Sequence, residues 1–250
     1  PINLLANINL SHTVLWDRDA SARTFYEMLL NMKNAQPDSP TVMGYRMRSL
    51  PFNYYNFRNN GMLSPIQSNG YRSDEADYQI GYLGMEADWS AYDTLFHHTE
   101  SDLYLMGRKV KRERKIIFTK EERKEEKTGQ EFIEWFGEGI DTLNGKDLLW
   151  DIQIEMPEII GPFEAWVSVA LDDMDHKQIA QEKIVLDWLR PSWKKGDVFN
   201  YYMVMPNIPE EAKYMKVFFW NIHKTPIELG VVKITLFEIL PDHKNSSNLQ

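Results

Sequence analysis

Residues 148–171 read LLWDIQIEMPEIIGPFEAWVSVAL and contain two stretches in which apolar and polar side chains alternate. Successive side chains on a strand point to opposite faces, so this alternation predicts β-strands at 148–156 and 163–171. Pro157 and the Gly161-Pro162 pair supply the turn chemistry that separates them. One face of each strand is apolar enough to form a core. The predicted core positions are Trp150, Ile152, Ile154 and Met156 in the first strand, and Phe163, Ala165, Val167, Val169 and Leu171 in the second.

The same pattern extends along the C-terminal half of the chain. Strands are predicted at 131–136, 148–156, 163–171, 179–188, 198–205, 214–222 and 227–239. Turn residues separate them, and no helical spacing of apolar residues intervenes. Seven short strands in this arrangement predict an antiparallel, jelly-roll-like β-sandwich over residues 130–241, followed by a flexible tail at 242–250.

The N-terminal part alternates helix and strand signals instead. A helix capped by Asp17 or Asp19 is predicted to carry its apolar residues at helical spacing. Those residues are Ala22, Phe25, Tyr26, Leu29 and Met32. Strands are predicted at 41–50, 76–83 and 101–109, and a second short helix at 88–98. Residues 1–110 are therefore expected to form a small α/β domain, which makes the chain α+β overall.

A charged stretch, KRERKIIFTKEERKEEKTG, lies between these halves at residues 111–129. Its basic and acidic residues are interleaved around one apolar trio at 116–118. We interpret it as a solvated linker, with a basic contact for phospholipid headgroups as the alternative.

Composition excludes some classes of function. The chain is 43% hydrophobic and 13% aromatic, which is typical of a folded protein. Its net charge of -9 argues against a nucleic-acid partner, which would require a basic face. Cysteine is absent, so there is no disulfide, thiolate metal site or cysteine nucleophile. No apolar run reaches the roughly 20 residues of a membrane-spanning helix.

Two of the predicted strands carry large aromatic residues on their more polar face. Strand parity leaves Trp166 beside Glu164 and Ser168, and it leaves Phe218 and Trp220 beside Lys216. An aromatic surface on one sheet of a sandwich can hold a sugar, because the apolar face of a pyranose stacks on a ring while polar neighbours bind its hydroxyls. The alternative is that a neighbouring domain or loops cover these rings. The candidate ligand-binding residues are Trp166, Trp220, Trp188 and Trp193, with Asp187, Asn221 and His223 as polar partners.

Searches for other chemistry predict no catalytic residue, metal site or cofactor. No HExxH pair, GxSxG, P-loop or GxGxxG motif is present. The adjacent His97 and His98 would diverge on a helix. The acidic residues at 172–175 lack the spacing of an EF-hand and are interpreted as an acidic turn.

Three stretches of the N-terminal part resemble the C-terminal extracytoplasmic segment of bacterial polytopic membrane proteins related to family 39 glycosyltransferases, of the dolichyl-phosphate-mannose mannosyltransferase type. They are NLSHTVLWDRDA at 9–20, LPFNYY at 50–55, and DYQI at 77–80 followed by SDLYLM at 101–106. The sandwich resembles β-rich, carbohydrate-module-like domains appended to envelope proteins. The resemblance implies a periplasm-facing region of a membrane protein with its spans upstream. It carries over no catalytic residue.

The leading interpretation is a non-catalytic extracytoplasmic region that binds glycan or an envelope protein through the sandwich. A glycan-active enzyme with its site in an interdomain cleft is a second hypothesis, which a converging pair of carboxylates would favour. A structural spacer is a third, which buried rings would favour.

Overall fold

The computed structural model describes residues 21–35, 43–45, 55, 63, 76–84, 89–123, 129–159, 164–186 and 193–241. The chain divides into two compact units, Pro1–Lys111 and Arg112–Gln250. Within the described ranges, no helix is both long enough and apolar enough to cross a membrane.

The first unit contains one described helix and a four-stranded sheet. The elements are α1 (Ala22–Ala35), β1 (Met43–Tyr45), β2 (Tyr78–Gly81), β3 (Tyr92–His98) and β4 (Leu103–Arg108). The strand order is β1-β2-β4-β3, and every pairing except the parallel β1–β2 pair is antiparallel. Phe25, Tyr26 and Leu29 lie on one side of α1, as their spacing predicts, and pack with Leu103 and Leu105 of β4. The two capping candidates, Asp17 and Asp19, lie outside the described residues.

The prediction of a small α/β domain is wrong, because the described structure is mostly antiparallel β-sheet. Residues 88–98 were expected to form a helix, but Tyr92–His98 is strand β3, which pairs with β4. A register shift between Thr94 and Phe96 interrupts the alternation of this strand. Leu95 is the unpaired residue at this shift, and the apolar residues Tyr92, Leu95 and Phe96 therefore follow one another at i, i+3 and i+4, which is the spacing of a helix.

The second unit consists of two four-stranded antiparallel sheets, which confirms the predicted β-sandwich. Its strands are β5 (Arg114–Arg123), β6 (Phe132–Gly139), β7 (Asp147–Glu155), β8 (Ala165–Asp172), β9 (Gln178–Val185), β10 (Val198–Met205), β11 (Tyr214–Asn221) and β12 (Val231–Ile239). One sheet has the order β10-β7-β12-β5 and the other β6-β11-β8-β9. The pairing is nested: β5 pairs with β12, β6 with β11, β7 with β10 and β8 with β9. This is the connectivity of a jelly roll.

The charged stretch contributes a strand to the sandwich. Residues 114–123 form β5, which pairs antiparallel with β12 along its length. Phe118 stacks on Phe136 of β6, with ring centroids 4.7 Å apart, and Lys120 Nζ donates to the Trp135 carbonyl at 2.7 Å. Residues 114–123 therefore belong to the sandwich and not to a connector. Charged side chains are typical of an edge strand, because they discourage pairing with further chains.

The core lies between the two sheets and follows the predicted parity. The alternating sets predicted for β7 and β8 are buried, apart from Phe163, which lies outside the described residues. On β11, alternation likewise predicts a core set of Met215, Val217 and Phe219, and all three are fully buried. The register between β11 and β6 shifts between Val217 and Phe218, so that β6 has one extra residue, Trp135, at this point. Because of this bulge, the consecutive residues Trp135 and Phe136 are both buried in the core. Trp135 and Phe136 therefore fill the space between the two sheets and do not contribute to the outer side of either sheet.

Candidate ligand-binding face

The outer side of the sheet β6-β11-β8-β9 carries a cluster of aromatic rings. Trp220 at the end of β11 lies directly opposite Phe132 of β6 and directly opposite Trp166 of β8. Phe218, two residues earlier on β11, points to the same side. We call Phe132, Trp166, Phe218 and Trp220 the outer aromatic face. The alternation of each strand places these rings away from the core, and the register of three strands brings them together.

The four rings contact one another across the strands. The Trp166 and Trp220 centroids are 4.8 Å apart with planes at 65°, an edge-to-face contact. Phe132 stacks on Trp220 at 5.5 Å and meets Phe218 edge-on at 5.8 Å. Phe132 is 52% exposed, and the other three rings are partly exposed. The cluster is therefore an accessible aromatic surface held by ring–ring contacts.

The indole N–H groups of this face do not provide its polar contacts. Nε1 of Trp166 and Nε1 of Trp220 are both shielded from solvent and have no hydrogen-bond partner. A ligand would thus meet the carbon surface of these rings, and hydrogen bonds would come from neighbouring side chains.

Polar side chains lie beside the rings on β8, β9 and β11. The Lys183 ammonium lies 3.7 Å from the centroid of the Trp166 ring. Gln181 Nε2 donates to the Ser168 hydroxyl at 2.9 Å. Lys216 Nζ donates to Asp172 Oδ2 at 2.6 Å. Donors and acceptors therefore border the aromatic carbon on one side of the sheet.

Among the predicted ligand-binding residues that the structure describes, Trp166 and Trp220 lie together on this face. Trp193 is buried in the core, where it packs edge-on against Phe199 of the other sheet. His223 is exposed and pairs with Glu164 at 3.2 Å. Trp188 and Asp187 lie outside the described residues.

Asn221 has a structural role in a turn. It is fully buried, and its amide nitrogen donates to the Gln130 carbonyl at 3.2 Å and to the Thr225 carbonyl at 2.8 Å. Its Oδ1 accepts the Thr225 N–H at 3.1 Å. Both amide donors are therefore used by the backbone, and Asn221 points away from the face on which Trp220 lies.

Sequence reasoning missed Phe132 of the outer aromatic face, and it missed Lys183, which lies beside that face. The strand at 131–136 was predicted, but the bulge at Trp135 and Phe136 obscures which of its residues face the core. Ile133 points into the core, so the alternation of side chains along the strand places the preceding residue, Phe132, on the outer side. Lys183 alternates with the buried Glu182 and Ile184, and that parity was available from the sequence.

Two further polar groups in this unit are accounted for by their surroundings. Asp173 Oδ1 accepts the N–H groups of Asp175 and Lys177, each at 2.9 Å, so that carboxylate closes its own turn. On the other sheet, burial and, secondarily, the Asp151 carboxylate raise the pKa of Tyr202 to about 12. No group of three or more metal-ligating side chains occurs among the described residues.

No protein-family model matches the chain, and no curated protein matches it. Solved structures with some similarity include the infectious bursal disease virus VP2 subviral particle, at 12% identity and a TM-score of 0.32, covering 58% of this chain and 46% of that one. An arabinose-bound α-L-arabinofuranosidase, MgGH51, matches at 10% identity and 0.31, covering 60% and 23%. The CBM22-1–GH10 modules of Clostridium thermocellum xylanase 10B with xylohexaose match at 8% and 0.28, covering 50% and 29%.

This chain matches less than half the length of each of these three solved chains. The similar structures thus include β-sandwich folds of the carbohydrate-module and glycoside-hydrolase kind. At these TM-scores the similarity carries no argument about function. The assignment of the sandwich rests on the strand pairing described above.

Proposed function

We propose that the β-sandwich binds glycan through the outer aromatic face. The observation that carries this proposal is the row Phe132–Trp220–Trp166, which crosses three strands on the side of the sheet opposite the core. These rings are not needed to fill the interior, since Trp135, Trp150 and Phe219 already do so. A large aromatic surface without a core role is suited to stacking on the apolar face of a pyranose.

The polar border of the face supports a sugar rather than a purely apolar ligand. Gln181 and Lys183 lie on the strand next to Trp166 and provide amide and ammonium groups, and the fully buried Ser168 hydroxyl holds the Gln181 amide. Such groups can bind the equatorial hydroxyls of a sugar whose ring stacks on tryptophan. The mixed character of this face therefore favours a glycan.

A binding role fits the carboxylates near this face better than a catalytic one does. Asp172 already bonds Lys216, and Glu164 already pairs with His223. Glycoside hydrolysis needs two carboxyl groups that face each other across the scissile bond. These two acids instead lie at opposite ends of β8, about 26 Å apart at the normal rise of a strand, so we assign them no catalytic step.

The test is affinity electrophoresis through gels that contain a panel of neutral and acidic polysaccharides. We expect at least one polysaccharide to retard the protein, and Trp220→Ala to abolish that retardation. Ile116→Ala is the matched control, because Ile116 is an exposed apolar residue, 58% accessible, on strand β5 of the other sheet. If both variants were retarded equally, the outer aromatic face would not be the binding surface.

The proposed setting is the periplasmic side of a bacterial envelope, in a region that belongs to a membrane protein. Sequence resemblance alone supports this part of the proposal, and two of its stretches, 9–20 and 50–55, fall almost entirely outside the described residues. Protease added to spheroplasts of the source bacterium should digest the protein, while protease added to intact cells should not. Protection in spheroplasts would place the protein in the cytoplasm and contradict this setting.

A further inference from the structure

We infer that the glycan bound at this face is acidic, with a uronate carboxylate paired to Lys183. This inference rests on the proposed glycan binding and names the class of sugar. It starts from the position of one cation. The Lys183 ammonium lies over the Trp166 ring, at 3.7 Å from its centroid, on the surface where a sugar would stack.

Lys183 is exposed, and none of the described residues places a carboxylate within ion-pair distance of its ammonium. Its contact on this face is the aromatic ring, a cation–π interaction. An ammonium in this position keeps hydrogen-bonding capacity, because it has three N–H donors and the ring occupies only one side. It is therefore available to an anion.

The other charged groups near this face do not contact the Trp166 ring in the way that Lys183 does. Lys216 is paired with Asp172 at 2.6 Å, and His223 with Glu164 at 3.2 Å. Glu134 is on β6, three strands from Lys183, which is about 14 Å at normal strand spacing. Its carboxylate turns towards Gly137 of its own strand. Lys183 is thus the charged group that contacts the Trp166 ring, although the whole chain carries -9.

This position of Lys183 discriminates between neutral and acidic sugars. A neutral pyranose that stacks on the Trp166 ring must displace the ammonium and lose the cation–π contact without gaining a charge interaction. A uronate can stack on the neighbouring rings and form a charge-assisted hydrogen bond with the ammonium where it already lies. The arrangement therefore favours a carboxylate at the edge of the stacked sugar.

The experiment compares polygalacturonate with its fully methyl-esterified form, which has the same sugar ring without the charge. Affinities are measured for the wild type and for Lys183→Ala, Lys183→Arg and Lys233→Ala. Lys233 is the matched control, because it lies on β12 of the other sheet. We expect the wild type to prefer the acidic polymer and Lys183→Ala to lose about tenfold of that affinity. Lys183→Arg should keep most of it, and Lys233→Ala should bind like the wild type.

Salt gives a second readout of the same contact. The preference for the acidic polymer should shrink as sodium chloride rises from 50 to 500 mM, since screening weakens an exposed ion pair. Equal binding of both polymers that is lost in Trp220→Ala but unchanged in Lys183→Ala would overturn the acidic inference and leave the proposed glycan binding intact. If neither polymer binds while a neutral polysaccharide of the panel does, the inference also fails and the proposed function stands. If no polysaccharide of any kind binds, both fail.

Discussion

Strand β11 presents two faces that contain the same class of residue in opposite environments. Val217 and Phe219 point inward and are fully buried, whereas Phe218 and Trp220, their immediate neighbours, point outward and stay partly exposed. The inner Phe219 packs near Trp135, with centroids 5.8 Å apart, inside the core between the sheets. The outer Trp220 packs against rings of its own sheet. Strand parity, more than residue type, therefore decides whether a ring stabilises the fold or is available to a ligand.

The largest expected effect comes from truncating an inner ring. Phe219→Ala should lower the free energy of unfolding by about 3–5 kcal/mol, because it removes a fully buried ring and leaves a cavity between the sheets. Trp220→Ala should cost about 1–2 kcal/mol, because it removes cross-strand ring contacts on an accessible face. Urea denaturation of both variants measures the difference. Equal losses would show that Trp220 is an interior ring and would remove the physical basis of the proposed binding.

A loss of stability between those of Phe219→Ala and Trp220→Ala is expected at Asn221, the residue between the outer Trp220 and the turn that follows. Asn221→Ala should cost about 2–3 kcal/mol, because it removes the three hydrogen bonds that the fully buried Asn221 side chain makes within the turn. Glycan binding by the folded variant should be unchanged, since the side chain serves the turn. Urea denaturation measures the first quantity and affinity electrophoresis the second. A stable variant that no longer binds would reassign Asn221 to the ligand site.

The smallest expected effect concerns His223, at the exposed end of the same strand region. His223→Ala should change the free energy of unfolding by less than about 0.5 kcal/mol, because its pair with Glu164 is solvent-exposed. Glu164→Gln provides the matched control from the other partner. If either substitution weakened glycan retardation as strongly as Trp220→Ala, the binding surface would extend to this pair and beyond the four rings.

The alternating strands of the sandwich could be predicted from the sequence because each buries one complete face. The strand predicted at 198–205 is β10 with the same bounds, and the core sets of β7, β8 and β11 follow from parity. Strand β5 could not be found this way. Its charges mask the alternation, and its place in the sheet depends on pairing with β12, more than 100 residues away in sequence. Strand β3 was misassigned because its unpaired residue, Leu95, gives the apolar residues of the strand a helical spacing.

The candidate site was predictable only in part. Trp166 and Trp220 follow from parity, but their contact depends on the register of β8 against β11, which no local pattern reveals. The positions of Trp193 in the core and Asn221 in a turn could not be read from the sequence either. A tryptophan or an asparagine beside a strand gives no sign of whether it turns into the core or satisfies a turn. Phe132 was hidden by the bulge of β6.

Hydroxyl-radical footprinting, read by mass spectrometry at single residues, tests the central claim most directly. In the free protein we expect Phe132, Phe218 and Trp220 to be oxidised readily, and Trp150 and Phe219 to be nearly inert. Adding the polysaccharide that retards the protein should protect the outer rings and leave the inner rings unchanged. If the outer rings were as inert as Trp150 without any ligand, they would be covered in the folded chain, and this result would contradict the binding account.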